Sequence, residues 1–233
     1  MDWRTACAAV IPCLNEGAAI GPLVQAVRRH VSTVFVVDDG SSDDTVAKAE
    51  HAGAVALRHT ETAGKGAALQ TGLAQAHKLG YLWALTIDGD GQHSPDDIPS
   101  LFLTVERTSA ALVVGNRMGQ RSRIPFLRRW VNRWMSWQVS KLAGQSLPDS
   151  QCGLRLINLE KWAGLPILTA HFEIESEVLF HFAKAGLRIE FVPIQVIYKK
   201  EQSKISPWKD TVRWLRWRRQ AREMTLAELG REK

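Results

Sequence analysis

Apolar residues along this chain come in two rhythms. Short continuous runs, "CAAVIPCLN", "TVFVVDDGS", "AVALRH", "YLWALTIDGD" and "ALVVGNR", each end in a turn or a polar cluster. Runs of that length, bounded by Gly, Asp and Asn, read as buried strands, the first ending at Pro12. Between them the spacing changes to three and four, which predicts helices over residues 18–30 and 64–79. Gly80 follows the second helix at the position where a left-handed residue stops one. Ser42-Asp43-Asp44-Thr45 supplies capping oxygens for the start of another. Strands alternating with helices predict βαβ units, hence an α/β fold with a mostly parallel central sheet flanked by helices.

The second half is less regular. Residues 125–143 read as a helix with Leu127, Val131, Trp134 and Leu142 on one side and Trp130 and Trp137 beside them. Arg128, Arg129 and Arg133 lie across from that side. "FEIESEVLFHFAKAG" is a helix with three glutamates at its start, and "RIEFVPIQVIY" a strand broken by Pro193. The segment after Pro207 is helical and rich in Trp and Arg, with apolar residues on two opposing faces. The predicted organisation is one large domain over residues 1–206 with a basic helical tail over 207–233.

Composition adds an electrostatic constraint. The 233 residues are 45% hydrophobic, enough for a sizeable core, and carry a net charge of +6. The positive charge is concentrated in residues 117–133 and 199–222, which predicts an anionic partner: nucleotide phosphates, lipid phosphates or an acidic bilayer. No recognition motif supports nucleic acid. The three cysteines have no metal-ligand spacing and form an odd set, which fits a reducing compartment. No stretch approaches the roughly 18–20 apolar residues of a membrane-spanning helix, and no secretory signal is legible. The expected location is cytoplasmic, peripheral to the inner face of a membrane.

Polar residues gather just after the strands: Asn15 and Glu16, Asp38 and Asp39, Asp88 and Asp90, Asn116 and Arg117. Ligands of open α/β sheets bind outside the carboxyl ends of the strands, so these clusters predict a site there. Asp88-Gly89-Asp90 closes an apolar run with two carboxylates that repel each other and are costly to desolvate. A hard divalent cation removes both penalties, and Gln92 offers a neutral oxygen beside them. An all-oxygen set favours Mg2+ or Mn2+, with positions left for substrate phosphates, although a solvated acidic turn gives the same letters. His93 is assigned to hydrogen bonding next to the ligands. An unpaired Asp38 or Asp39 would accept from a base N–H or a ribose hydroxyl; the structural alternative is an Asx turn. Asp43 and Asp44 are assigned to capping the next helix.

Taken in order, "VIPCLNE", "VVDDGSSDDT", "GKGAALQTGL", "TIDGDGQHSPDDI", "VGNR" and "DSQCGLRLI" resemble the family-2 glycosyltransferases, over roughly residues 8–205. The resemblance is greatest to the polyprenyl-phosphate and dolichyl-phosphate sugar transferases. It implies a GT-A fold and inverting transfer of a sugar from a nucleotide-diphosphate donor, a UDP-sugar or GDP-mannose. It further implies that Pro12, Leu14 and Glu16 hold the nucleoside, and that Asp38 and Asp39 meet base and ribose. Lys65 then lies near the nucleotide, and Asp88, Asp90 and Gln92 form the metal motif, with Gly89 where alanine is commoner. Arg117 faces the diphosphate, and Lys204 in "EQSKIS" closes over the phosphates. On the acceptor side the matching positions are Asp149, Gln151, Arg155, Glu173, Glu175 and Glu177, of which Asp149, Arg155, Glu175 and Glu177 are the catalytic candidates.

The acceptor has two readings. A soluble or carrier-bound hydroxyl needs a general base within hydrogen-bond reach, whereas a lipid phosphate is already an anion. Glu177 is either that base or a structural carboxylate. A sugar nucleotidyltransferase would show a glycine-rich first loop with Arg and Lys, where this chain has Pro12-Cys13-Leu14-Asn15-Glu16. A non-catalytic, membrane-recruited module has no reason to keep Asp88, Asp90 and Arg117 together. The sequence therefore favours a metal-dependent glycosyltransferase with a lipid-linked acceptor. Trp130, Trp134 and Trp137 with the neighbouring arginines, and Trp208, Trp214 and Trp217 in the tail, predict contact with an anionic membrane surface. Packing of these tryptophans onto the catalytic domain is the alternative.

Overall fold

The computed structural model describes residues 1–119, 126–197 and 207–231, without the side chains of 126–128, 207 and 227–231. Its centre is a seven-stranded sheet of β1 (Cys7–Cys13), β2 (Thr33–Asp38), β3 (Val55–Arg58), β4 (Trp83–Thr86), β5 (Leu112–Asn116), β6 (Arg155–Asn158) and β7 (Ile189–Pro193). The order is β3-β2-β1-β4-β6-β5-β7. The apolar runs account for it directly: β1, β4 and all but the first residue of β2 are buried. All neighbours run parallel except β6, which is antiparallel to both β4 and β5. The helices are α1 (Trp3–Ala6), α2 (Ile20–Val27), α3 (Thr45–His51), α4 (Lys65–Lys78), α5 (Ile98–Thr108), α6 (Phe126–Ala143), α7 (Leu159–Ala163), α8 (Ile174–Lys184) and α9 (Pro207–Arg231). Gly80 follows α4 with φ +84°, as expected.

Two strand boundaries bear on the site. β1 runs one residue past Pro12, so Cys13 pairs with Asp38 of β2. Pairing with β4 ends at Val10↔Thr86. By Pro12 the β4 side of β1 has no ladder partner, and the missing proline N–H costs nothing there. β6 was not assigned from the sequence. It enters from the carboxyl edge of its parallel neighbours, so its first residue, Arg155, lies opposite Thr86 and Val114. Beyond β7 the chain turns back on the segment after β4: His93 bridges to Val196, and Ile197 N donates to Gln92 O at 2.9 Å.

The last helix is docked, not free. Trp214, Trp217 and Ala221, spaced three and four apart, are buried, while Trp208 at the helix start is 80% exposed. Trp214 lies between Trp134 of α6 and Trp217, at 5.5 and 6.1 Å, and Trp217 meets Phe180 of α8 edge-on at 6.2 Å. For these buried tryptophans the packing alternative holds. Trp130 (61% exposed) and Trp137 (48%) remain at the surface of α6. Among the described residues no helix is long and apolar enough to cross a membrane.

Candidate active site

Because β1, β2, β4 and β5 point the same way, the segments that follow them meet at one edge of the sheet. The loop after β1 and the turn after β2 are zipped together. Asn15, in the left-handed region with φ +52°, donates its N–H to Ser41 Oγ at 2.7 Å and accepts from Ser42 N at 2.9 Å. Glu16 N donates to Thr45 Oγ1 at 2.8 Å, and Gly17 N to Asp43 Oδ2 at 3.0 Å. Asp43 also accepts from Thr45 N, which is the expected cap of α3; Asp44 instead pairs with Lys48 at 2.9 Å. Pro12 is buried and Leu14 and Glu16 are half-buried on this rim, at the positions proposed to hold a nucleoside.

Of the two readings of Asp38 and Asp39, the structure shows both carboxylates with partners inside the protein. Asp38 accepts from Ser41 N at 3.2 Å and lies 3.3 Å from Arg58 Nε. Asp39 accepts from Ala63 N and Gly64 N, both at 2.8 Å, and lies 2.8 Å from His59 Nδ1. Asp39 thus fastens the segment leading into α4, and in doing so places Lys65 as the first residue of that helix. The sequence marks Asn15 only as one of the polar residues after a strand, and gives His59 no role.

Asp88, two residues beyond β4, is the centre of the cluster. Gly153 lets it approach β6: a Cβ there would stand 2.2 Å from Asp88 Oδ1. Lys65 Nζ lies 2.7 Å from Asp88 Oδ1 and 2.5 Å from Glu175 Oε1. His93 Nε2 lies 3.3 Å from Asp88 Oδ2, the supporting contact foreseen for it. Burial disfavours the Asp88 carboxylate, but Lys65 and His93 outweigh it and hold its pKa far below the usual range. Asp90 has the opposite fate. Its Oδ1 accepts from Gln92 N at 2.9 Å, yet burial, and then the neighbouring Asp88, push its carboxyl upward.

That contrast tests whether the residues suit a divalent ion. Lys65 answers the charge of Asp88 and leaves Asp90 short of positive charge, and both carboxylates with Gln92 offer only oxygen donors. The set fits a hard divalent cation completed by ligand oxygens. Among the described residues no group of three or more His, Cys, Asp and Glu converges into a preformed cage.

On the other side of the edge, Arg117 forks onto Asp149. Its Nε and Nη2 donate to the two carboxylate oxygens, each at 2.9 Å, and its backbone N donates at 3.1 Å. Burial opposes both charges, but each partner stabilises the other, raising the arginine and lowering Asp149. Asp149 is fully buried, so it is placed to hold Arg117 and the segment before β6. Arg155 is likewise buried and donates to backbone carbonyls: Cys152 at 2.7 Å, Glu175 at 2.8 Å and Ser150 at 3.2 Å. It ties β6 to α8.

The three glutamates at the start of α8 separate. Glu177 Oε2 accepts from Leu168 N at 3.2 Å, Thr169 N at 2.9 Å and Thr169 Oγ1 at 2.6 Å, so it fastens a loop, the arrangement of a structural carboxylate. Glu175 holds Lys65. Among the described residues Glu173 Oε2 is buried without a hydrogen-bond partner, and burial raises its carboxyl. Gln151 joins a polar chain: its Nε2 donates to Ser176 Oγ at 2.8 Å, which also accepts from Trp214 Nε1 at 3.0 Å.

An open cavity of about 760 Å3 lies alongside, lined by Met118, Arg129, Arg133, Trp137, Lys141 and Pro148. Lys141 Nζ sits 3.9 Å over the Trp137 ring. Met118 and Pro148 adjoin Arg117 and Asp149 in sequence, so this basic hollow borders the strand-end cluster. Lys204 and the Arg128 side chain lie outside the described residues.

Comparison with known proteins agrees with this geometry. Residues 8–158 match the family model for glycosyl transferase family 2. The chain is 31% identical over 212 residues to UDP-N-acetylglucosamine--dolichyl-phosphate N-acetylglucosaminyltransferase of Methanococcus voltae, covering 81% of this chain and 84% of that one. It is 28% identical over 211 residues to undecaprenyl-phosphate mannosyltransferase of Micrococcus luteus, covering 84% and 86%. Among solved structures, glucosyl-3-phosphoglycerate synthase of Mycobacterium tuberculosis, in complex with Mn2+ and UDP-glucose, superposes with a TM-score of 0.74. The identity is 23%, over 91% of this chain and 78% of that one, which shows a shared GT-A fold. With an α/β sheet of that fold, its acidic and basic residues gathered at the carboxyl edge, and a family match across most of its length, the chain belongs to glycosyl transferase family 2 and is a glycosyltransferase.

Proposed function

We propose that this glycosyltransferase moves a sugar, with inversion, from a nucleoside-diphosphate donor to the phosphate of a polyprenyl-type lipid at an anionic membrane surface. The donor half is supported by the carboxyl-edge cluster and by the UDP-glucose bound to the related fold. Asp88, Asp90 and Gln92 would hold a Mg2+ or Mn2+ ion, which supplies positive charge for the leaving diphosphate. Pro12, Leu14 and Glu16 line the rim for the nucleoside. Asp38 and Asp39 keep their proposed place beside it, Asp39 chiefly by fixing the segment before Lys65.

The observation that carries the acceptor assignment is the basic hollow of Arg129, Arg133 and Lys141 bordering the Arg117–Asp149 pair. An acceptor phosphate oxygen attacks the anomeric carbon, the bond to the donor diphosphate breaks, and its electron pair leaves with the diphosphate. No proton need be removed, so no general base is required. The state of α8 fits: Glu177 is engaged by three donors and Glu175 by Lys65. The relatives named for dolichyl and undecaprenyl phosphates support the same class.

Glu173 favours a second reading. A buried carboxyl with a raised pKa and an oxygen that meets no hydrogen-bond donor among the described residues is suited to accept a proton from a hydroxyl. Transfer of labelled sugar to a short polyprenyl phosphate, compared with the matching polyprenol and with Glu173→Gln, separates them. The lipid-phosphate reading predicts product from the phosphate alone, retained in Glu173→Gln. Product from the alcohol that vanishes in Glu173→Gln would overturn it.

A further inference from the structure

Lys65 bridges carboxylates from two halves of the site. Asp88 follows β4 and Glu175 belongs to the first turn of α8, and one ammonium lies 2.7 Å from the first and 2.5 Å from the second. The side chain is shielded, with Phe172 flanking it at 5.6 Å from ammonium to ring centre. Among the described residues Oε2 of Glu175 has no hydrogen-bond partner; Lys65 is the cation in direct contact with the carboxylate, with Arg155 also near, donating to the Glu175 backbone carbonyl at 2.8 Å. A monovalent cation is thus built into the position where Asp88 would otherwise meet a divalent one.

We propose that Lys65 is a resident counter-ion that makes entry of the metal and of the nucleoside diphosphate mutually dependent. In the ligand-free protein the ammonium occupies Asp88. A divalent ion arriving alone must displace it or share a carboxylate with it, and two cations that close repel strongly in buried surroundings. A diphosphate arriving with the metal brings the negative charge that offsets both cations. Glu175 keeps the lysine in place once Asp88 is released. Coupling of this kind is reciprocal: the factor by which the diphosphate tightens metal binding equals the factor by which metal tightens the diphosphate. This inference rests on the assignment of Asp88 and Asp90 as metal ligands.

The test is titration of Mn2+, read by its electron-spin signal, into wild type, Lys65→Gln and Lys65→Met, each with and without UDP. Lys65→Gln keeps an amide donor for the two carboxylates, and thermal melting verifies that the variants are folded. Wild type should bind Mn2+ weakly alone and at least about tenfold more tightly with UDP. Both variants should bind Mn2+ alone at least about tenfold more tightly than wild type, with a correspondingly smaller gain from UDP. Wild type that binds Mn2+ equally well without UDP overturns the proposal without any variant. Wild type that shows the coupling, with folded variants no tighter for Mn2+ alone, overturns the role of Lys65 and leaves the donor assignment standing. Failure of the donor assignment looks different: Mn2+ and UDP then bind with the same affinities in Asp90→Ala as in wild type.

Discussion

At the scale of the residue, partners decide what each charged side chain can do. Arg117 and Asp149 form a buried bidentate pair, so removing the arginine strands a carboxylate with no access to water. Arg117→Ala should cost about 3–5 kcal/mol in urea unfolding, in addition to any loss of diphosphate affinity. Unchanged stability would return Arg117 to a purely ligand-facing role. Asp149 is held below its ordinary pKa, so the pair's contribution is complete above the usual carboxylate range. It is lost progressively as pH falls from that range through the lower folded value. Gly89 gives a second case. A Cβ there would stand 2.6 Å from Cys13 Sγ and 3.0 Å from Pro12 O, so alanine, the commoner residue in this motif, does not fit unaided. Gly89→Ala should destabilise by about 1–3 kcal/mol, and adding Cys13→Ala should recover part of that in thermal melts. Equal melting of wild type and Gly89→Ala would show that the loop yields freely.

At the scale of the element, α9 is joined to the catalytic domain by indole packing and by the Trp214–Ser176–Gln151 hydrogen bonds. Trp214→Ala should cost about 3–5 kcal/mol of unfolding free energy. A loss below about 1 kcal/mol would mean that the helix hangs off the domain. The sequence made β1, β2, β4 and β5 legible because their apolar runs are buried on both faces. It hid β6, whose four residues begin with Arg155 and end with Asn158. Arg155 is a catalytic candidate in the sequence, and only the fold brings together the three carbonyls that it braces. Glu177 was undecidable for the same reason, since the amides it accepts from lie in a loop before its own helix. In α9 the apolar residues fall on two opposing faces of the letter pattern, and only the neighbours on α6 and α8 select the face of Trp214 and Trp217 as the inward one.

At the scale of the whole molecule, the carboxyl edge of the sheet carries the acidic cluster, and the basic hollow of α6 lies beside it. Trp130 and Trp137 remain exposed on that helix next to Arg129 and Arg133, the arrangement suited to a bilayer interface. Flotation with anionic vesicles should show salt-sensitive binding. Charge reversal of Arg129 and Arg133 to Glu should weaken it by roughly thirtyfold or more, at about 1 kcal/mol for each basic residue lost. No binding at low salt would shift the acceptor toward a soluble molecule. The donor cluster is the claim on which all else depends. Its most direct test is calorimetric titration of UDP and GDP, each with Mn2+, into wild type and Asp90→Ala. The account predicts metal-dependent binding of at least one nucleotide to wild type, abolished in a variant that still melts cooperatively. Equal affinity in both proteins, or binding indifferent to chelation of the metal, would contradict it.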